Sequence, residues 1–166
     1  QMIKCFTVAI SLLISSQAQA EETPISFESV DMHCLVLNSY FESRNQSPNG
    51  SIAVTHTVLN RVADKRYPNN TCDVVKQSVK NKDGSIRRNK CQFSWYCDGL
   101  SDKPREPDAW LDALARTVIA VDLYNKGFDI THGSTHYHFK NIKPYWSTSL
   151  DYITTIDDHH FYKWGK

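Results

Sequence analysis

Along the chain, Val30, Cys34, Leu37 and Phe41 recur at spacings of four, three and four, which predicts a helix with one apolar face. Glu42 follows directly, at the edge of that stripe, where partial desolvation moves a carboxyl toward the pKa range of a general acid. A second helix is predicted from Ser47, a capping residue, with Pro48 at its first position, where a missing amide hydrogen costs little. Ile52, His56, Leu59 and Ala63 mark one of its faces and Val54, Val58 and Val62 another. A helix apolar over so wide an arc belongs in the middle of a core, and His56 is expected there as a hydrogen-bonded core histidine. Arg66-Tyr67-Pro68-Asn69-Asn70 breaks the pattern, Thr71 is predicted to cap a short helix carrying Val74, Val75 and Val79, and Asn81-Lys82-Asp83-Gly84 reads as a turn. The next helix is predicted to start at Glu106-Pro107-Asp108, to bury Trp110, Leu114, Val118 and Val121, and to stop at Gly127. Beyond it the period shortens. Residues 134–139, 142–146 and 157–164 read as short strands and loops laid over a helical body.

Length and composition suit one globular domain behind an N-terminal extension. Residues 1–20 read as a secretory signal: Lys4 is the positive region, Phe6 to Ile14 the apolar run, and Ala18-Gln19-Ala20 the small-residue cleavage site. The apolar run is short for a bilayer span, so no stable membrane insertion is expected once it is cleaved; a retained anchor is the competing reading. The folded domain is then 21–166. Four cysteines remain in it, Cys34, Cys72, Cys91 and Cys97, an even number that suggests two disulfides in an oxidising compartment. Of three connectivities, Cys91 with Cys97 closes a short loop and leaves Cys34 with Cys72. Zinc ligation by these cysteines would be expected to show a Cys-x-x-Cys pair, and there is none.

Without Lys4, 18 of the 19 basic residues remain against 18 acidic ones, a formal net charge of zero that argues against nucleic acid as a partner. The distribution is less even, because Lys76, Lys80, Lys82, Arg87, Arg88 and Lys90 share fifteen residues with Asp83 as their one acid. Such a run reads as a solvated loop, with contact to an anionic polymer as its functional alternative.

Cys91-Gln92-Phe93-Ser94-Trp95-Tyr96-Cys97 sets aromatic rings among polar edges inside a short cysteine-bounded loop, a combination that matches the apolar faces and hydroxyl rims of sugars. His136 and His138, two apart, would share a strand face, as in some zinc sites, with Asp157, Asp158, His159 and His160 close by in sequence. No His-Glu-x-x-His pattern supports a metal, and none is expected.

Three blocks, Tyr40-Phe41-Glu42-Ser43-Arg44, Gly50-Ser51-Ile52-Ala53-Val54 and Val58-Leu59-Asn60-Arg61-Val62, resemble the opening of the catalytic domain of the spore cortex-lytic, or cell wall hydrolase, family (SleB/CwlJ-like). Gln92-Phe93-Ser94-Trp95 is the most specific match, and Gly133 to His138, Lys143-Pro144-Tyr145-Trp146 and His159-His160-Phe161-Tyr162 resemble the later blocks. The basic stretch matches poorly. Ser43 stands where the family often has alanine, and Asn45-Gln46 where it often has Gly-Glu, which removes a possible extra carboxylate.

The resemblance implies an α+β fold, a mainly helical lysozyme-like domain with a few short strands, acting on peptidoglycan. It implies Glu42 as the catalytic residue, with Gln92, Phe93, Ser94, Trp95, Tyr137, His138, Trp146, His160 and Tyr162 along the substrate groove, Trp95, Trp146 and Tyr162 stacking on sugars. Glycoside hydrolysis usually takes two carboxylates, and Asp98, Asp151, Asp157 and Asp158 are partners for Glu42 only by composition. A lytic transglycosylase needs one acid, which protonates the glycosidic oxygen and then takes a proton from the substrate's own C6 hydroxyl. The expectation is therefore an exported, monomeric murein lytic transglycosylase without a cofactor. A muramidase-type hydrolase, a zinc amidase or peptidase, and a non-catalytic wall-binding module are the alternatives.

Overall fold

The computed structural model describes residues 31–165; the expected signal at 1–20 and Val30 lie outside the described residues. Four helices, α1 (Met32–Glu42), α2 (Pro48–Ala63), α3 (Thr71–Val75) and α4 (Pro107–Asn125), form the body. A hairpin of β1 (Ser78–Lys80) and β2 (Ile86–Cys91) projects from it, and β3 (His136–Phe139), β4 (Asp151–Ile156) and β5 (His159–Lys163) form an antiparallel sheet in the order β3-β5-β4. The α+β expectation is met. No described helix is long and apolar enough to cross a membrane.

Helix α2 is the central element, as its pattern implies: Ser47 accepts a hydrogen bond from the Gly50 N–H, Pro48 opens the helix, and every residue from Gly50 to Arg61 is buried. His56 is fully buried; its Nε2 lies 2.9 Å from the Ala120 carbonyl and its Nδ1 accepts the Ile130 N–H at 3.2 Å. Both disulfides, Cys34 to Cys72 and Cys91 to Cys97, pair as expected. The first ties α1 to α3.

Several expectations are corrected. On α1 the buried side is Cys34, Leu35, Val36, Asn38, Ser39 and Tyr40, while Leu37 and Phe41 are only partly buried at the rim of the core. The cap of α3 is Asn70, whose side chain accepts the Asp73 N–H; Thr71 is buried inside the helix, bonded across to Asp31. Val79 is on the exposed hairpin, and the basic stretch read as a loop is that hairpin, with the foreseen turn at Gly84. On α4 the inward residues are Ala113, Thr117, Ala120 and Val121, while Leu114 and Val118 face outward, 37% and 43% exposed. The reason is proximity. Helix α4 packs tightly on α2, and small side chains let the two backbones approach while larger ones are turned away. Residues 142–146 form no strand; Tyr145–Thr148 is a 3-10 turn.

The approach to β3 is held by Asp129. Its carboxylate accepts from the Asn60 amide, from the Thr131 N–H and hydroxyl, and from the Gly133 N–H. Burial alone would raise this carboxyl's pKa, but those bonds, with His56 beside it, hold it well below the usual carboxylate range. At the far end of the sheet, the tight turn at Asp157 docks on the α1–α2 loop, with Asp157 Oδ2 accepting the Ser47 N–H at 2.8 Å. A Cβ at Gly50 would lie 2.3 Å from that same oxygen and 2.7 Å from Gln46 Cβ, so a larger residue there would force the loop and the turn apart.

Candidate active site

Glu42 ends α1, where the buried Ser43 caps the helix by donating its hydroxyl back to the Ser39 carbonyl at 2.7 Å. This fixes the direction in which the Glu42 side chain leaves the helix, toward the first turn after the hairpin and toward β3. Its Oε2 accepts the Tyr137 hydroxyl at 3.0 Å, and the Ser94 backbone N–H, the first of the 3-10 turn Ser94–Cys97, faces the carboxylate and favours its ionised form. Burial raises the Glu42 pKa, against the lowering effects of Tyr137, of the Arg61 guanidinium and of the Ser94 N–H. The result is a carboxyl that keeps its proton longer than a solvated one and still has three groups ready to stabilise its anion.

A cleft of about 310 Å³ opens on this carboxyl, lined by Phe41, Glu42, Arg44, Asn45, Gln46, Phe139 and His159. Glu42 is the one acid among these lining residues. Arg44, the nearest basic residue in sequence, is paired with Glu106 instead. Asp157 is committed to the Ser47 N–H and Asp158 to Lys140 at 2.5 Å, Asp98 caps the Leu100 N–H at 2.7 Å, and Asp151 is exposed at the edge of β4.

The expected groove residues divide sharply. Tyr137 touches Glu42, and Ser94 presents its backbone N–H toward it. Gln92 is exposed on the disulfide loop, its N–H bonded to the Gln77 carbonyl at 2.9 Å. Phe93 and Trp95 are core residues, 2% and 7% exposed, which corrects the expectation of a sugar-stacking Trp95. Trp95 instead stacks on Phe41 with ring centroids 4.9 Å apart and donates its indole N–H to Asn38 Oδ1 at 3.0 Å. These two residues form the wall behind Glu42 rather than its binding surface.

His138, Trp146, His160 and Tyr162 lie away from the Glu42 cleft, for a reason intrinsic to strands. Successive side chains alternate between faces, so Tyr137 and His138 cannot both look into one cleft. The register pairs Tyr137 with Phe161 and Phe139 with His159 on the face toward the helices, and His136 with Tyr162 and His138 with His160 on the outer face. There His138 donates Nδ1–H to the Phe139 carbonyl and accepts the Tyr162 hydroxyl at Nε2, both at 2.9 Å, while Trp146 packs edge-on against Tyr162. Burial pushes the Tyr162 hydroxyl up and, with Arg61 and Arg66 nearby, pushes His136 down to about 4.

Two more residues matter here: Arg61, which the sequence offered only as part of a matching block, and His159, whose block was expected along the groove. Arg61 is 4% exposed, donates Nε–H to the Thr135 carbonyl at 2.7 Å, and lies over the rings of Phe93 and Tyr67 at 5.1 and 5.5 Å. Its signal was a lone charge on an otherwise apolar helical arc. His159 lines the cleft, 6% exposed, beside Tyr137, with Nδ1 unbonded and its pKa lowered by burial. Among the described residues, one group of ligand-type atoms lies close enough for a metal, Asp31 with Cys34 and Cys72, and the two sulfurs are joined as a disulfide rather than present as thiolates.

A profile described as Cell Wall Hydrolase matches residues 45–162. Glu42 stands just ahead of that span, so its role rests on geometry. Among solved structures, the catalytic domain of the Bacillus cereus SleB protein is 22% identical and superposes with a TM-score of 0.58, covering 88% of this chain and 99% of that one. The catalytic domain of the germination-specific lytic transglycosylase SleB from Bacillus anthracis is 23% identical, with a TM-score of 0.58 over 84% of this chain and 97% of that one. At such identities the likeness establishes the fold, the lysozyme-like α+β arrangement. Among curated proteins no significant match was found.

Proposed function

The chain belongs to the cell wall hydrolase family, and from that premise we propose that it is an exported lytic transglycosylase cleaving the bond between N-acetylmuramic acid and N-acetylglucosamine in peptidoglycan. The observation that carries this reading is a single, partly buried carboxyl in a cleft lined by no second acid. A hydrolase of the two-carboxylate kind needs a base or nucleophile across the scissile bond, and the lining residues offer none.

Glu42, protonated, gives its proton to the glycosidic oxygen as the bond from the anomeric carbon breaks. The departing sugar leaves with a free hydroxyl, and an oxocarbenium-like ring stays behind. Tyr137 O–H, Ser94 N–H and Arg61 then stabilise the Glu42 carboxylate. The C6 hydroxyl of the same sugar attacks the anomeric carbon and its proton passes to Glu42, which closes a 1,6-anhydro ring and restores the acid without consuming water. Phe139 and His159 on the inner sheet face, with Gln46 and Asn45 opposite, position the sugars.

Because the working form is the acid, activity falls as pH rises through the raised pKa of Glu42. Glu42→Gln keeps the shape and loses the transferable proton, so clearing of purified sacculi should fall by about 10³-fold with the fold intact. Clearing at the wild-type rate would refute the assignment.

A further inference from the structure

The β1–β2 hairpin is used neither by the fold's core nor by the chemistry above. Lys76, Lys80, Lys82, Arg87, Arg88 and Lys90 are all exposed on or beside it. None of them enters an ion pair among the described residues; Arg88 rests on the Asp98 carbonyl at 3.0 Å, the Asp98 carboxylate is taken up by the Leu100 N–H, and Asp83, the one acid within residues 76–90, by the Ser85 N–H and hydroxyl. A two-stranded hairpin is marginal by itself. This one is held at its base by the Cys91–Cys97 disulfide and by the bond from Gln92 N–H to the Gln77 carbonyl. Lysines on edge strands deter strand pairing, but that task does not call for six cations of one sign, which repel each other and build a local positive field.

Placement gives the field a target. Strand β2 ends at Cys91, and Ser94, whose N–H faces the Glu42 carboxylate, is three residues on, so the base of the hairpin lies within about 17 Å of the reacting bond. In peptidoglycan the groups covalently joined to the ring being cleaved are the peptide stems, attached at C3 of the muramic acid and bearing free carboxylates.

We infer that the β1–β2 hairpin binds the acidic stem peptides of the strand whose glycan lies in the Glu42 cleft. This rests on the substrate proposed above and deepens it: the enzyme holds a stem beside the bond it cuts, and stem-free glycan lacks that contact.

The test uses the Glu42→Gln protein, which does not consume its ligand. Binding is measured to intact sacculi and to immobilised glycan strands stripped of stems by an amidase. A second protein adds Lys80→Glu, Lys82→Glu and Lys90→Glu, and a third adds the three Gln replacements, which remove charge without adding repulsion; thermal melting checks both folds. Charge reversal should weaken binding to intact sacculi by about tenfold at low salt, less as salt is raised, with binding to stripped glycan unchanged. The neutral triple should fall between. Equal binding of all three proteins to intact sacculi, or equal losses on stripped and intact material, would overturn the inference, as would a loss seen only with a phosphate-bearing wall polymer or anionic vesicles. Retained lysis by Glu42→Gln would sink the catalytic reading instead, so the two failures are separable.

Discussion

The two faces of the β3-β5-β4 sheet carry similar side chains and are put to different uses. Inward stand Tyr137, Phe139, His159 and Phe161, and outward His136, His138, His160 and Tyr162. Each face holds histidine beside a tyrosine with a raised pKa. Inside, the Tyr137 hydroxyl meets a carboxyl near which a buried guanidinium waits; outside, the Tyr162 hydroxyl meets an imidazole already committed to a backbone carbonyl. The chemistry of a residue here is decided by its parity along the strand and by what the helical body presents to that face.

That comparison can be broken in several places. The largest effect belongs to Glu42→Gln, the loss of lysis described above. Next comes the wall behind the inner face: Trp95→Ala should cost about 3–5 kcal/mol of stability in a denaturant titration, since it empties a core site and leaves the Asn38 carbonyl oxygen without its indole donor. If Trp95 were instead a sugar platform, substrate affinity would fall and stability would hold.

A matched pair of hydroxyl deletions follows. Tyr137→Phe should lower kcat roughly 10- to 100-fold and move the alkaline limb of the pH profile upward, because the Tyr137 bond lowers the Glu42 pKa and its removal leaves burial less opposed. Tyr162→Phe should leave kcat unchanged and cost about 1 kcal/mol of stability. Equal kinetic effects from the two would dissolve the distinction between the faces.

The smallest effect is on stability against pH. The Glu42 pKa is raised on folding, so the native state favours the protonated form; the associated stability is present below the unfolded pKa and is lost as pH rises through the folded one. Glu42→Gln should therefore melt higher than wild type at neutral pH and level with it near about pH 4. A lower melting temperature at neutral pH would mean that Arg61 and Tyr137 outweigh the cost of burying the charge.

Much of the body was legible in sequence. Ser47 and Pro48 mark the start of α2 through local capping chemistry, and its wide apolar arc marks its central position. What failed was orientation. The outward facing of Leu114 and Val118 could not be read from periodicity, because close packing of α4 on both α1 and α2 turns Ala113, Thr117 and Ala120 inward instead. The hairpin was missed because charged strands carry no apolar alternation. Glu42 and Tyr137 were found through a resemblance, which names residues without saying which way they point; alternation along 136–139 already required that His138 face away from Tyr137. Arg61 hid among apolar neighbours, since its value depends on a bond to the Thr135 carbonyl and on a through-space field at the Glu42 carboxylate, both across the fold.

Mass spectrometry of sacculi digested by the wild-type protein addresses the central claim most directly, because the fate of the anomeric carbon records whether one carboxyl sufficed. The account predicts muropeptides ending in 1,6-anhydro-N-acetylmuramic acid from the wild type and none from Glu42→Gln. Reducing N-acetylmuramic acid ends, or released stem peptides with the glycan intact, would contradict it.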